Sequence, residues 1–263
     1  MIMKNRAGEH VILRRFRVLY FFVAIITSLT MTAVLLLSVV NLPEYGKTGN
    51  PVENEVFRRY VEDGLRETGA VNIVTAIILD YRAFDTLGEA IVLFLALVSV
   101  LMFLKAEKGV LMRLNLEQNK YEPARDQIFQ SIASVVVPCV LLFGAYIVLN
   151  GHLSAGGGFA GGAVLGAALI MYNTAFGLSR SRMFINEKVF RRLVSGALIF
   201  YAVVKGYSFF TGGNHLPYII PIPLGEPGSI FSGGLILPLN IAVGVIVSCT
   251  IYGFFCLFNQ GEV

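Results

Sequence analysis

Four charged residues between positions 80 and 89 are the part of the sequence best suited to carry protons or cations. Asp80, Arg82, Asp85 and Glu89 stand close together in a chain in which only 14% of residues are charged. If the segment is helical throughout, Arg82, Asp85 and Glu89 share one face of the helix. Glu89 also lies near the start of an apolar segment, where an ionisable side chain is costly and is a functional candidate by default.

A structural role for the same residues is equally consistent with their spacing. Thr86-Leu87-Gly88-Glu89 fits a capping box, in which the Glu89 side chain turns back on the start of a helix at Thr86. Asp80 and Arg82 are close enough in the chain to pair with each other. The residues alone therefore leave both interpretations open.

Lys205 and His152 are two further candidates for an ion or proton path. Lys205 stands several residues from either end of the apolar segment 190–210, and an ionisable residue at membrane depth indicates function. The alternative is that its four-carbon stem lets the ammonium reach the outer membrane interface. His152 lies in a glycine-rich loop, where a hydrogen-bonding structural role is favoured over proton transfer.

The glycine-rich segment after residue 150 predicts close helix packing. Three of its glycines recur every fourth residue and share one helix face, which lets another helix approach closely in lipid. Three consecutive glycines allow a tight turn at the helix start. Anion binding by the exposed backbone N–H groups is the less favoured alternative. The glycines assigned to packing are Gly156, Gly157, Gly158, Gly161, Gly162 and Gly166.

The elements that must position these residues are membrane-spanning helices. The chain has 263 residues, of which 56% are apolar, and the segments 18–43, 127–179 and 227–261 contain no Asp, Glu, Lys or Arg. A run above about 18 such residues is long enough to cross a bilayer. This composition excludes a soluble enzyme, a nucleic-acid-binding domain and a disordered chain. The excess of basic residues is not a sign of nucleic-acid binding, because those residues flank the apolar segments.

The sequence predicts an all-α, polytopic integral membrane protein with about six transmembrane helices. Lysine and arginine cluster in the N-terminal segment, in the linker after residue 104 and in the loop after residue 178. Because cytoplasmic loops are rich in these residues, both termini are predicted to be cytoplasmic. The expected spans are 18–40, 86–104, 129–150, 158–178, 190–210 and 234–258.

The polar stretch 41–86 is expected on the outer side of the membrane, since acidic residues outnumber basic ones there. Its segment 70–84 is too short to span, but it carries apolar residues at helical spacing. We expect an amphipathic segment that lies in the membrane interface or packs against a neighbouring subunit. The apolar residues are Val71, Val74, Ile77, Ile78, Tyr81 and Phe84.

The sequence predicts neither a metal site nor a catalytic site. Cys139, Cys249 and Cys256 lie in apolar segments without a Cys-x-x-Cys pair, and the three histidines are scattered. The cysteines are expected to be small packing residues. We expect no cofactor and no catalytic activity of the chain's own.

Two segments resemble known families. The sequence from Gly151 to Gly162 resembles the signature of the B subunit of Mrp/Mnh-type multisubunit Na+/H+ antiporters, with Ala155 where many members have proline. The run 233–244 also fits that family. The segment from Gly69 to Glu89 resembles the C-terminal part of the antiporters' large A subunit. The same segment occurs as a small separate subunit in membrane-bound hydrogenases and related ferredoxin-linked complexes.

The resemblance implies a fusion of two modules. Residues 1–115 would be a two-span module similar to the hydrogenase E subunit or to the tail of the antiporter A subunit, with the segment 70–84 on its outer side. Residues 120–263 would be a four-span domain similar to the antiporter B subunit. Such subunits belong to the ion-translocating membrane arm of their complexes in the cell membrane of a prokaryote.

The resemblance also implies that Asp80, Arg82, Asp85 and Glu89 lie near an ion path. Glu89 is the carboxylate expected to handle the ion or proton, the other three would set its electrostatic field, and Lys205 and His152 are weaker candidates. The partners implied are other subunits, membrane lipids, Na+ and H+. Whether a redox reaction or the ion gradient drives the complex stays open. The alternatives are a purely structural subunit that braces the complex and a small self-sufficient transporter.

Overall fold

The computed structural model describes residues 3–42, 45–46, 54–111, 127–177, 187–213 and 222–260. Within these ranges every regular element is a helix or a helical turn. The chain divides into two compact units, Met1–Phe57 and Arg58–Val263. This boundary lies inside the predicted first module, because α5, at 83–111, packs against helices of the second module.

The first unit is built on one long helix, and the second unit contains short turns followed by five long helices. The helices are α1 (Met3–Val40), α2 (Glu55–Arg58), α3 (Gly64–Thr68), α4 (Ile73–Ala76), α5 (Ala83–Leu111), α6 (Gln127–Leu149), α7 (Gly158–Phe176), α8 (Glu187–Gly213) and α9 (Ile236–Gln260), with π-helical turns at Arg59–Asp63 and Ile77–Tyr81.

Six of the described helices are long and apolar enough to cross a bilayer. Their apolar stretches are Arg17–Val40, Ala83–Phe103, Gln127–Leu149, Gly158–Phe176, Val189–Thr211 and Ile236–Phe258. The predicted all-α fold with about six spans is therefore confirmed. The cytoplasmic placement of the termini stays a prediction, and most of the basic linker and loop that support it lie outside the described residues.

Helix α9 is the centre of the second unit. Of its apolar stretch 67% is buried, against 17–33% for the other four spans of this unit. Ile246 and Leu257 pack with Leu97 of α5 and Val194 of α8. A helix that is apolar on all sides must be surrounded by other helices or by lipid, and here α5, α6, α7 and α8 surround it.

Helix α7 lies close to α9 because glycines face that helix. A Cβ atom added to Gly158 would lie 2.6 Å from the carbonyl oxygen of Asn240, and one added to Gly162 would lie 2.8 Å from the carbonyl oxygen of Gly244. Gly166 faces the same helix, with its added Cβ 3.1 Å from the nearest side-chain carbon. The two backbones meet at distances that any side chain would prevent, the packing that small residues permit in lipid.

The opposite side of α7 meets α6 in the same way. A Cβ atom at Gly161 would lie 2.5 Å from Cγ2 of Val148 and 2.9 Å from the carbonyl oxygen of Gly144. Glycines on two faces thus place α7 between α6 and α9. This contact fixes where the loop that precedes α7 stands.

The segment 70–84 is not one continuous helix. Helix α4 continues into the Ile77–Tyr81 turn, and regular helix stops at Arg82, where φ is −117° and ψ is 34°. Ala76 and Leu79 are buried in the core that they form with residues of α8 and α9. Most of the predicted apolar stripe is exposed, namely Val71, Val74, Ile78 and Phe84, although the Phe84 ring also packs edge-on against Phe209 of α8.

Candidate functional site

An ion pair with one buried partner links the Ile77–Tyr81 turn to helix α8. Nζ of Lys205 on α8 donates a hydrogen bond to Oδ1 of Asp80 at 2.6 Å. The Lys205 side chain is only 4% exposed, whereas that of Asp80 is 41% exposed. The predicted pairing of Asp80 with Arg82 is wrong, since Asp80 pairs with a residue 125 positions away. Lys205 reaches a carboxylate within the protein, not the open membrane interface.

The position of Asp80 is set by the way α5 begins. The backbone N–H of Arg82 donates to the carbonyl oxygen of Ile77 at 2.7 Å, which closes the π-helical turn that carries Asp80. The Thr86 hydroxyl donates to the carbonyl oxygen of Ile78 at 2.7 Å. Two bonds therefore fasten the turn around Asp80.

The start of α5 also rules out the predicted capping box. Helix α5 begins at Ala83, so Thr86 lies inside its first turn and is not the residue that caps it. The reason is that the backbone at Arg82 is not helical. Helix α5 therefore begins directly after it, at Ala83, and not at Thr86 as the sequence predicts. The Tyr201 hydroxyl of α8 donates to the carbonyl oxygen of Ala83 at 3.0 Å and fixes this start.

Arg82 and Asp85 form a separate pair on the surface. The guanidinium of Arg82 lies 2.6 Å from Oδ2 of Asp85, and the two side chains are 63% and 56% exposed. An exposed pair of this kind contributes little to stability. It makes no recorded contact with the pair of Asp80 and Lys205 in the described part of the chain.

Glu89 lies on α5 after Ala83, at a distance of roughly 9 Å along the helix axis from that residue, given a rise of about 1.5 Å per residue. Its side chain is exposed at the surface of this single chain. Within the described ranges no hydrogen bond or ion pair is recorded for its carboxylate. The exposed carboxylate therefore lies within the stretch Ala83–Phe103, which is long and apolar enough to span a membrane.

A polar cleft adjoins Asp80. The polar cleft has a volume of about 250 Å³ and is lined by Glu67, Thr68, Asp80, Ser208, Ile222, Leu224, Gly233, Gly234 and Leu235. Two carboxylates and two hydroxyl groups therefore face a space that water can fill. Asp80 lines this space and also accepts the hydrogen bond from the buried Lys205 ammonium.

Glu67 is the second carboxylate of the polar cleft. Its oxygens accept hydrogen bonds from Arg59 Nη2 at 3.1 Å and from the Tyr81 hydroxyl at 2.5 Å. The bond from Arg59, followed by that from Tyr81, holds the pKa of Glu67 below its usual value. Burial first, and then the bond to Glu67, raises the pKa of Tyr81. Glu67 is therefore ionised and Tyr81 is neutral near pH 7.

The loop between α6 and α7 is tied to the start of α4. Nδ2 of Asn72 donates to the carbonyl oxygens of Gly151 at 2.9 Å and Ser154 at 2.8 Å. The Thr75 hydroxyl donates to the same Gly151 oxygen at 2.7 Å. The sequence analysis did not single out Asn72 or Thr75. Asn72 precedes a short apolar run as a helix-capping residue does, but nothing in the sequence indicates its distant partners.

His152 in this loop is fully buried. Nε2 of the ring lies 3.3 Å from the carbonyl oxygen of Ser229, and Nδ1 has no hydrogen-bond partner among the described residues. The backbone oxygen of His152 accepts a hydrogen bond from the N–H of Asn72 at 3.0 Å. These contacts join loops to each other, and no recorded contact connects the ring to Asp80, Lys205 or Glu89 in the described ranges.

Asn240 of α9 caps α7 from the side. The N–H of Gly158 donates to Oδ1 of Asn240 at 2.9 Å. The residues before it, Gly156 and Gly157, have φ of 140° and 124°, a backbone region that favours glycine. The predicted tight turn thus ends against a side chain that the sequence analysis missed. The only signal is one amide inside an otherwise apolar run.

Two family models match this chain in separate ranges. The model for a domain related to the MnhB subunit of Na+/H+ antiporter matches residues 128–253. The model for the E subunit of MBH matches residues 13–111. The first range contains the glycine contacts and Lys205, and the second contains Asp80 and Glu89.

Known proteins resemble the chain over most of its length. An uncharacterised protein of Methanocaldococcus jannaschii is 33% identical over 67% of this chain and 72% of its own length. A probable A/B subunit of a K+/H+ antiporter from Rhizobium meliloti is 27% identical over 61% of this chain, which corresponds to 18% of that protein. A chain in the structure of the membrane-bound sulfane sulfur reductase, an archaeal respiratory membrane complex, is 29% identical. That match has a TM-score of 0.58 and covers 89% of this chain and 96% of that one.

Proposed function

The chain belongs to the family with a domain related to the MnhB subunit of Na+/H+ antiporter, and from this premise we propose that it lines a path for a cation and a proton. It is an Mrp-type antiporter-like subunit of a membrane complex, and it is a multi-pass membrane protein. Its partners are other subunits of that complex. We propose that the complex lies in the cell membrane of a prokaryote.

One observation carries this proposal, the exposed carboxylate of Glu89 at membrane depth. A charged side chain that faces lipid is costly, so such residues face the interior of a helix bundle or a water-filled space. In this chain α5 presents Glu89 outward. A neighbouring subunit that covers this face would enclose Glu89 and supply its hydrogen-bond partners. Glu89 would then stand at a subunit interface and bind a proton or a cation.

The Asp80–Lys205 pair and the polar cleft support the same interpretation. Both lie at the end of α5 that is predicted to be on the outer side, above Glu89. Asp80 faces the polar cleft, so a hydrated cation can approach it there. We propose that the polar cleft is the outer end of the path and that Asp80, Arg82 and Asp85 shape its electrostatic field. His152 has a structural role in this proposal.

The transported cation is proposed to be monovalent, with Na+ as the first to test. The matching family is named after a Na+/H+ antiporter and one relative after a K+/H+ antiporter. The match to the MBH E subunit and to a respiratory complex supports a second setting, the membrane arm of a redox-driven complex. The chain itself would perform no catalysis in either setting.

The division of labour between the two modules is also a proposal. The two family models match residues 13–111 and 128–253, which supports a first module at 1–115 and a second at 120–263. The first would contribute Glu89 and the second would brace it through α8 and α9.

The test is the Glu89→Gln variant of the complete complex in membrane vesicles. We expect the complex to assemble while cation-driven proton exchange falls at least tenfold, because the amide keeps the shape of the side chain but carries no charge. Asp63→Asn is the matched control, since Asp63 is an exposed carboxylate paired with Arg66 outside the proposed path. Normal exchange by the assembled Glu89→Gln complex would remove Glu89 from the path.

A purely structural subunit is the second candidate, favoured by the glycine contacts of α7. In that case Glu89→Gln leaves exchange unchanged, while Gly162→Leu releases the chain from its partners. A pull-down in mild detergent separates the settings. Antiporter-like subunits alone indicate a gradient-driven complex, and added iron–sulfur and nickel subunits indicate a redox-driven one. A lone folded chain of 28.8 kDa would indicate a self-sufficient transporter.

A further inference from the structure

We propose that the Lys205 ammonium is a tethered cation that occupies Asp80 in this state, and that a monovalent cation from the polar cleft replaces it with release of one proton. This inference rests on the proposed function, since it needs a transported cation. It goes further by naming the carboxylate, the displaced group and the coupled proton.

The two sides of the Asp80 carboxylate have different surroundings. On one side Oδ1 accepts from Lys205 Nζ at 2.6 Å, and Lys205 is 4% exposed. On the other side Asp80 is 41% exposed and lines the polar cleft of about 250 Å³. A cation can therefore reach Asp80 from the cleft, whereas the ammonium belongs to a side chain that is buried in the helix bundle.

The ammonium of Lys205 is incompletely solvated in its buried position. A lysine ammonium has three N–H groups, and within the described residues one hydrogen bond is recorded for it, to Asp80. A buried charge is stable only when it is paired. When a second cation takes Asp80, the ammonium loses its counter-ion, and the lowest-cost response is to lose its proton.

The exchange balances in charge and in atoms. At the start the site holds a carboxylate and an ammonium. The Nζ–H bond breaks, the lone pair stays on nitrogen, and the proton crosses the existing hydrogen bond to Oδ1 of Asp80. Asp80 passes the proton to water in the polar cleft and, as a carboxylate again, binds the cation M+. The site then holds the carboxylate, M+ and a neutral amine. Its net charge is zero before and after, so no net charge is forced into the low-dielectric bundle.

The charged and titratable groups around Asp80 are compatible with this exchange. Glu67 faces the same polar cleft, paired with Arg59 and bonded to Tyr81. Glu226 is exposed on the segment that contributes Leu224 to the wall, but it does not line the cleft. The carboxylates of Asp80 and Glu67 are those that attract cations into the cleft.

The helices behind Asp80 add few further charges. Glu89 lies on α5 and the Tyr201 hydroxyl on α8, where it bonds the carbonyl oxygen of Ala83. Arg82 is paired with Asp85. Helix α9 carries no Asp, Glu, Lys or Arg between 236 and 258. Lys205 is therefore the positive group closest to Asp80 on the buried side.

The decisive test is Lys205→Arg in the complete complex. Arginine retains the positive charge and can bond to Asp80, but it does not lose a proton in proteins. We expect the complex to assemble and cation-driven proton release to fall at least tenfold. If the pair were merely structural, Lys205→Arg would exchange at the wild-type rate, and that result would overturn the inference.

A second pair of variants covers the case in which arginine does not fit the buried site. Asp80→Glu keeps the carboxylate and should retain exchange with an altered KM for the cation, whereas Asp80→Asn should abolish it. Asp63→Asn is again the control. Equal exchange by Asp80→Asn and wild type would also overturn the inference.

The pH dependence of KM for the cation is a further test, because it would not depend on Lys205 if the Asp80–Lys205 pair were only structural. Because one proton leaves for each cation that binds, the wild-type KM for the cation should fall about tenfold for each unit by which the pH rises. In Lys205→Met the cation can bind without releasing a proton, so this slope should disappear. If wild-type vesicles show no cation–proton exchange at all, the proposed function fails. If wild-type vesicles do exchange cations for protons, but Lys205→Arg exchanges at the wild-type rate and the pH dependence of KM is the same in Lys205→Met, only this inference fails.

Discussion

The contact of α7 with α9 and the contact of the Ile77–Tyr81 turn with α8 are held together differently. In the first, glycines bring two backbones together, and a Cβ atom at Gly162 would lie 2.8 Å from a backbone oxygen. In the second, a charged hydrogen bond of 2.6 Å joins Lys205 to Asp80 beside the polar cleft. The first has no room for rearrangement, whereas the second has an open side. The first contact is a rigid support, and the second is the site where we propose that the counter-ion changes.

The two regions are not independent of each other. Asn72 and Thr75, a few residues before Asp80, donate hydrogen bonds to the loop that precedes α7. The rigid contact therefore positions the segment that carries the ion pair.

The largest effect is expected for Gly162→Leu. A side chain there would meet the backbone at Gly244 and the side chain of Val247, and overpacking a tight contact costs about 1–3 kcal/mol or more. We expect the subunit to be lost from the purified complex. Gly196→Leu on α8 is the control, because an added Cβ there meets no atom within 4 Å. Normal assembly of Gly162→Leu would show that the α7–α9 contact is less rigid than its geometry indicates.

The next effect is expected for Asn72→Ala. This change removes the bonds from Asn72 to Gly151 and Ser154, each worth about 0.5–1.5 kcal/mol, while the Gly151 oxygen keeps its bond from the Thr75 hydroxyl. We expect a lower melting temperature of the complex and weaker cation exchange, because the turn at Asp80 loses its support. Asn54→Ala is the matched control, since Asn54 caps an exposed turn through Val56. Equal melting temperatures for the two variants would mean that the regions are not coupled.

A smaller, pH-dependent effect is expected for Glu67→Gln. The pKa of Glu67 is lowered in the folded protein by Arg59 and then Tyr81, so its ionised form adds stability above its ordinary pKa. That contribution is lost as the pH falls through the folded-state pKa. The wild type should therefore be more stable than the variant at pH 7, and the difference should shrink as the pH falls below the ordinary pKa of a glutamate. Thermal unfolding at several pH values measures this, and a constant difference would contradict it.

The smallest effect is expected for Arg82→Ala. Arg82 and Asp85 are both more than half exposed, and such pairs are worth about 0–1 kcal/mol. We expect unchanged assembly and melting temperature. A modest loss of exchange without a loss of stability would support the proposed role of Arg82 in the electrostatic field of the path, whereas an unchanged exchange rate would remove Arg82 from that role.

Several features of the candidate site follow from the sequence only in part. The sequence marked Asp80 and Lys205 as candidates separately, because each is a charged residue in or beside an apolar segment. It proposed Arg82 as the partner of Asp80, because local pairs are the only ones that spacing can suggest. The real partner lies on another helix, and its identity depends on how α8 packs against the turn. The same holds for Asn240, whose cap on Gly158 joins two helices that are distant in the chain.

The amino-acid sequence by itself determined the all-α class and the six spans. These properties follow from the length of apolar runs, which each segment carries independently of its neighbours. The tertiary structure alone decided that Lys205 pairs with Asp80, that Asn72 is hydrogen-bonded to the loop between α6 and α7, and that helix α5 begins at Ala83. These contacts depend on the distance and angle between helices, and those are fixed by the packing of many side chains at once and not by any local pattern.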